Sequence, residues 1–151
     1  MSKEYLDSNR MTQVAILCHD IEETAKAYAE FLGVSIPPIV QTDGSEKAQT
    51  EYLGKPSTAT AKLCFFDIAD GVQLELIEPD SQPSTWRAHL DEYGECVHHI
   101  AFGIKDTAGK IDNLAKKGMP LLQRGEYEGG RYAYFDTMKT LKVLVETLEN
   151  D

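Results

Sequence analysis

The sequence predicts an α+β fold built from two tandem modules, each running β-α-β-β-β. Three observations carry that expectation. Residues 13–33 (QVAILCHDIEETAKAYAEFLG) and 99–118 (HIAFGIKDTAGKIDNLAKKG) follow one plan: an alternating apolar strand, an Asp (Asp20, Asp106), a helix-period segment and a closing Gly (Gly33, Gly118). Later in each half, VQLELIEP at 72–79 matches KVLVETLEN at 142–150. That match aligns Glu75 with Glu146, as the first aligns Gln13 with His99. Finally, each helical segment is followed by enough turn-punctuated alternating sequence for three more strands. The expected organisation of residues 1–151 is a single domain with module one at about 11–79, a linker helix at about 83–94 and module two at about 96–149.

The first strand is expected over 11–18. Val14, Ile16 and Cys18 point one way and Gln13, Ala15 and Leu17 the other, because successive strand residues alternate. Asp20 then caps a helix, with Glu23 three residues on as a capping-box partner and Gly33 as its stop. A short strand at 34–40 is interrupted by Pro37 and Pro38, and the polar stretch 41–60 is expected to be a long loop. Strands at 61–68 and 72–78 join through an Asp70-Gly71 hairpin turn. Ser84 caps a linker helix that carries Trp86 and Leu90 and ends at Gly94. In the second module, Ile100, Phe102 and Ile104 form the bulky face of the opening strand, and His99, Ala101 and Gly103 the other. Its remaining strands are expected at 119–124, 131–136 and 141–148, with a turn at Gly129-Gly130. In both modules the bulky face suits the helix, while the small residues beside Gln13 or His99 suit the floor of a pocket.

A formal net charge of −10 argues against a nucleic-acid surface and against docking on anionic membranes. No run approaches the ~18 apolar residues of a membrane-spanning helix. The N-terminal MSKEYLDSNR lacks the apolar core of a secretion signal. Cys18, Cys64 and Cys96 are odd in number and far apart, which predicts reduced, mostly buried thiols in a cytoplasmic protein.

Gln13, Glu75, His99 and Glu146 are the candidate metal ligands. Singly, a strand-end Glu is a solvated edge residue and a strand Gln carries no chemistry. As two pairs of repeat-equivalent positions they point to a site. Three oxygen donors and one imidazole suit divalent Mn, Co, Ni or Fe and accept Zn. Two coordination positions would remain open for vicinal substrate oxygens, and a carboxylate beside the ion could move a proton. Alternation sends His98 to the face opposite His99, in a structural role. His19 and His89 are expected at the surface, and Trp86 as a packing residue under the linker helix. Arg124, Arg131, Tyr132 and Lys139 are candidates for holding an anionic substrate group, or else ordinary surface side chains.

The stretches QVAILCHDIEETAKAYAEFLGV, VQLELIEP, GECVHHIAFGIKD and KVLVETLE resemble the vicinal oxygen chelate superfamily over nearly the whole chain. That superfamily includes glyoxalase I, methylmalonyl-CoA epimerase, extradiol dioxygenases and bleomycin resistance proteins. The resemblance implies a cupped mixed sheet with the helices outside, the glyoxalase-like fold. It also implies one divalent metal ion (Zn, Ni, Co or Mn), a small-molecule substrate such as a thioester or 2-oxo compound, and a homodimer. ELIEP, GECVHHIAF and VLVE look most like methylmalonyl-CoA epimerase, whereas the quartet Gln13, Glu75, His99, Glu146 is similar to the set of eukaryotic-type zinc glyoxalase I. The activity implied is that of a lyase or isomerase. It would abstract a proton beside a carbonyl and pass through an enediolate or enolate held by the metal, with Glu146 as candidate base and Glu75 as second carboxylate. The alternative is a non-catalytic small-molecule binding or resistance protein of the same fold.

Overall fold

Each half opens with a strand and an Asp-capped helix, as the repeat demands. The computed structural model describes residues 5–151, so Met1–Glu4 of the polar N-terminal decapeptide lie outside the described residues. Strand β1 (Met11–Leu17) leads into helix α1 (Ile21–Leu32), where an Asp20 carboxylate oxygen accepts from the Glu23 backbone N–H at 3.2 Å. Gly33 ends the helix at φ 71°, in the left-handed region that glycine enters without a Cβ penalty. The second copy repeats this with β7 (Val97–Gly103), helix α4 (Thr107–Lys116) and an Asp106 carboxylate oxygen accepting from Gly109 N–H at 3.2 Å.

Between them lie β2 (Ile39–Gln41), α2 (Ser45–Ala48), β3 (Glu51–Tyr52), β4 (Lys55–Pro56), β5 (Ala61–Ala69), β6 (Val72–Pro79) and α3 (Thr85–Tyr93). The chain closes with β8 (Leu121–Tyr127), β9 (Gly130–Phe135), α5 (Met138–Leu141) and β10 (Leu144–Asn150). Asp70 and Gly71 both take positive φ (52° and 80°), the pair of values that a two-residue hairpin between right-twisted strands requires. Ser84 caps α3 by accepting from Arg87 N–H at 2.9 Å, as expected. Three expectations shift. The strand predicted at 34–40 forms only after Pro37 and Pro38, as β2. The loop 41–60 contains α2, β3 and β4. A single turn, α5, precedes β10, held where the Thr137 hydroxyl donates to the Val143 carbonyl at 2.6 Å.

All ten strands join one sheet in the order β2-β5-β6-β1-β7-β10-β9-β8-β3-β4. From the antiparallel β1–β7 seam, each module runs outward alike. Its first strand pairs parallel with its last (β1–β6, β7–β10), and the other neighbours are antiparallel. The parallel registers match too, with Ala15 opposite Glu75 and Ala101 opposite Glu146. The repeat thus holds at the level of individual residue pairs.

The sheet has to be cupped. Eight strand spacings separate β2 from β3 in the sheet order; at ~4.8 Å each they make an arc of about 38 Å. Residues 42–50, which connect the two strands, include the helical turn α2 and reach only about 27 Å. The sheet therefore curls to bring its ends together. On the outside, Cys18, Ile21, Ala25, Ala29, Cys64, Phe66 and Leu76 form the core under α1, with Ile16 packed against it. On the inside, Ala15, Leu17, Ile77 and Tyr134 pack with Trp86 and Leu90 of α3, so α3 fills part of the cup. Both β1 faces behave as alternation predicts. The inner face is cavity floor at Gln13 and packed core at Leu17.

Candidate functional site

The parallel pairs set the carboxylates. Ala15 and Ala101 are the residues beside Glu75 and Glu146 in the sheet, and their small side chains leave room inside the cup. Glu75, His99 and Glu146 are 5%, 0% and 4% exposed, which is rare for carboxylates without a strong partner. His99 Nε2 lies 3.3 Å from Glu75 Oε1 and 3.7 Å from Glu146 Oε2. Glu75 Oε1 and His99 Nε2 are nevertheless buried without a hydrogen-bond partner. Among the described residues no group of three or more His, Cys, Asp or Glu side chains is arranged to hold a metal ion as it stands. Gln13 is also buried, but its amide donates to Gln73 Oε1 at 3.3 Å, and Gln73 donates in turn to Asp67 at 3.2 Å. The structure therefore gathers Glu75, His99 and Glu146, with Gln13 beside them in the cavity wall and tied to Gln73.

Burial dominates the electrostatics. It pushes the Glu75 carboxyl up to about 8 and the Glu146 carboxyl up to about 7. For Glu146, His99 and a hydrogen bond from Tyr134 pull the other way, while Glu75 adds to the rise. Burial also lowers His99, leaving its imidazole neutral and able to act as a donor atom. At neutral pH the pair of carboxyls thus retains about one proton, and the His99 contacts are not full ion pairs.

His98 departs from the expected alternation. Ala15 pairs with His99 but Ile16 pairs with Val97, which makes His98 the extra residue of a β-bulge. Its ring stays on the same side as that of His99, with the two Nδ1 atoms 2.8 Å apart, and both rings pack on Tyr134. One Nδ1 must donate and the other accept. His89 likewise leaves the surface: its half-buried ring packs edge-on against His98 at 5.3 Å. His19 remains exposed.

Glu75 and Glu146 lie in the floor of a cavity of about 980 Å³, lined among others by Gln13, Gln73, Tyr132 and Tyr134, with the buried His99 ring behind that lining. Trp86 belongs to the inner core, as expected, and also donates its indole N–H to the Tyr134 hydroxyl at 3.0 Å. Of the basic candidates, Arg124 pairs with Glu51 at 3.2 Å and Arg131 with Asp151 at 2.6 Å. Neither they nor Lys139 line the cavity, whereas Tyr132 does. The cations at its wall are Arg10, Lys105 and Lys110, which the sequence reading passed over. Gln73 and Tyr134 were also missed. Period-two alternation from Glu75 would have found Gln73, but nothing local marks Tyr134 as the partner of Glu146.

Comparison with known proteins agrees with this architecture. Residues 12–135 match the family model for the Glyoxalase/Bleomycin resistance protein/Dioxygenase superfamily. The chain belongs to that superfamily. It is 26% identical over 146 residues to the uncharacterized protein YqjC of Bacillus subtilis, covering 93% of this chain and 92% of that protein. Methylmalonyl-CoA epimerase from Mycobacterium tuberculosis superposes with a TM-score of 0.64 at 17% identity, covering 100% of this chain and 93% of the other. A Streptomyces coelicolor methylmalonyl-CoA epimerase in complex with 2-nitronate-propionyl-CoA gives 0.63 at 24% identity, covering 95% and 98%. These structural likenesses establish the glyoxalase-like fold. The superfamily takes its name from enzymes and a resistance protein alike, so membership sets the architecture and leaves the reaction to the site.

Proposed function

We propose that this chain is a divalent-metal-dependent lyase or isomerase that removes a proton beside a carbonyl, similar to glyoxalase I or methylmalonyl-CoA epimerase. The observation that carries the proposal is the convergence of His99 Nε2 on Glu75 and Glu146 at 3.3 and 3.7 Å, with two of those buried atoms unpartnered. Donor atoms ~2.1 Å from one ion lie about 3.0–3.4 Å apart at octahedral or tetrahedral angles; the 3.3 Å separation falls in that range, and the 3.7 Å one would have to shorten on binding. Buried orphan atoms each cost about 1–3 kcal/mol, and a cation would satisfy both. Glu75, His99 and Glu146 would hold it, with Gln13 as fourth ligand once its amide leaves Gln73. When bound, a divalent ion supplies Lewis acidity to a substrate carbonyl and so makes the neighbouring C–H more acidic.

The chain's own groups would do the rest. Glu146 is the proposed base. Burial raises its carboxyl above the ordinary range in the metal-free protein, which favours uptake of a proton. Glu75 is the second carboxylate, available to return the proton. Arg10, Lys105 and Lys110 line the cavity and can meet a negatively charged substrate group. The cavity is large enough for a thioester with a long appended chain. Complexes of the epimerase neighbours with 2-nitronate-propionyl-CoA and methylmalonyl-CoA support that substrate class. We include in the proposal a single functional unit spanning the chain, a homodimer and a cytoplasmic location. Among the described residues, no helix is long and apolar enough to cross a membrane.

The test is metal analysis of protein purified without added ions, followed by a screen of acyl-CoA and α-hydroxy thioesters for α-proton exchange in deuterated water. Stoichiometric metal with exchange supports the enzyme. Tight ligand binding with metal but no exchange would turn the assignment to a binding protein, and failure to hold any divalent ion would end the metal reading.

A further inference from the structure

The repeat makes Glu75 and Glu146 equivalent, but their cross-strand neighbours differ. Glu75 on β6 faces Phe65 on β5, whereas Glu146 on β10 faces Tyr134 on β9, the repeat-equivalent position. A single hydroxyl therefore breaks the symmetry at the floor of the cavity. Its surroundings give it a direction. The Trp86 indole N–H can only donate, and it donates to the Tyr134 oxygen at 3.0 Å. The Tyr134 proton is left for another acceptor, and the carboxylate within its reach is that of Glu146, directly opposite it on β10. Tyr134 is buried, and Trp86 is held by Leu90, Ile77 and the rest of the inner core, so the chain of donors starts from a rigid anchor. Glu75 has no such counterpart: Phe65 offers no donor, and the neighbour of Glu75 Oε1 is His99 Nε2 at 3.3 Å.

We propose that Tyr134, anchored by Trp86, is a positioning residue that holds Glu146 and has no equivalent at Glu75, making two repeat-equivalent carboxylates chemically unequal. Tyr134 fixes the orientation of the Glu146 carboxylate toward the cavity, and no hydroxyl does the same for Glu75. If the site transfers protons as proposed above, the asymmetry makes transfer one-sided, with Glu146 dominant. Only that consequence rests on the proton-transfer reading; the linkage itself stands apart from it.

The test uses a convenience of the sequence. Trp86 is the chain's one tryptophan, so the full-length protein labelled with nitrogen-15 shows a single indole N–H resonance, which reports directly on its hydrogen bond. Glu146→Gln should shift that resonance in the parent protein and leave it unmoved in a Tyr134→Phe background. Glu75→Gln should leave it in place in both. Backbone amide spectra verify that each variant is folded, and if Glu146→Gln does not fold, Glu146→Asp withdraws the carboxylate by one methylene and asks the same question. An equal Glu146→Gln shift with and without the Tyr134 hydroxyl would overturn the proposal, as would no shift in either background or an equal response to Glu75→Gln. The measurement needs neither ion nor substrate. A protein that binds no metal would therefore defeat the functional reading while this cycle still decides the linkage.

Discussion

His98 and His99 show how a single extra residue redirects chemistry. Strict alternation would send His98 to the outer face; the bulge opposite Ala15 and Ile16 instead lays its Nδ1 against that of His99. Within the proposed metal site, the tautomer that leaves His99 Nε2 free to coordinate is the one in which His99 Nδ1–H donates to His98. His98 is then the residue that orients the ligand. His99→Ala should abolish divalent-ion binding. His98→Ala should weaken it by about 10–100-fold without abolishing it, the usual cost of removing a ligand's hydrogen-bond partner. Titration calorimetry with one divalent ion compares the two, and unchanged affinity in His98→Ala would show that the ring contact orients nothing. Glu146→Gln should lower α-proton exchange by ~10²–10⁴-fold with metal retained, because it keeps an oxygen donor and removes basicity. Full exchange in a metal-loaded Glu146→Gln protein would remove Glu146 as the base.

At the scale of elements, the two capping aspartates predict unequal costs. Asp20 caps α1 from extended backbone (φ −132°), so Asp20→Ala should lose about 1 kcal/mol, the value of the cap alone. Asp106 caps α4 from the left-handed region (φ 59°), which Asp tolerates better than Ala. Asp106→Ala should therefore lose about 2 kcal/mol, and Asp106→Gly less than Asp106→Ala, since glycine relieves the backbone while also lacking the cap. Urea midpoints rank the three variants, and equal losses in Asp20→Ala and Asp106→Ala would contradict the backbone argument. These caps were legible because a capping carboxylate and the backbone N–H that donates to it are three residues apart. The segment 41–60 was not. Two-residue strands have no period to detect, and β3 joins the main sheet through β8, where Glu51 meets Arg124 seventy-three positions away.

The whole molecule responds to pH through its buried carboxyls. Glu75 and Glu146 titrate near 8 and 7 in the folded protein, against an ordinary value of 4.5. Between those limits the folded metal-free protein holds protons that the unfolded chain has released. Their contribution to stability is thus complete below about 4.5 and is lost as pH rises through about 7 and 8. Metal-free protein should be less stable at pH 9 than at pH 6, by an amount of the order of a few kcal/mol. Glu75→Gln, which cannot ionise, should recover part of that loss. A divalent ion should reverse the trend by binding the ionised pair. Denaturant unfolding at both pH values, with and without metal, tests all three, and a flat profile in the metal-free parent would mean the pair is not strained by burial.

From the sequence alone came the doubled βαβββ plan, the capped helices, the hairpin, the inward face of each opening strand, and the equivalence of Gln13 with His99 and Glu75 with Glu146. Each of these is written in short-range periodicity or in one half's likeness to the other, and both survive translation into strand register. The tertiary structure decided what those residues touch. It tied Gln13 to Gln73, bulged His98 toward His99, and set Tyr134 and Trp86 behind Glu146. It also neutralised Arg124 and Arg131 with acids while leaving Arg10, Lys105 and Lys110 at the cavity wall. Such contacts join residues far apart in the chain. They are fixed by the curl that a short connector imposes on a ten-stranded sheet, a constraint that no local pattern records.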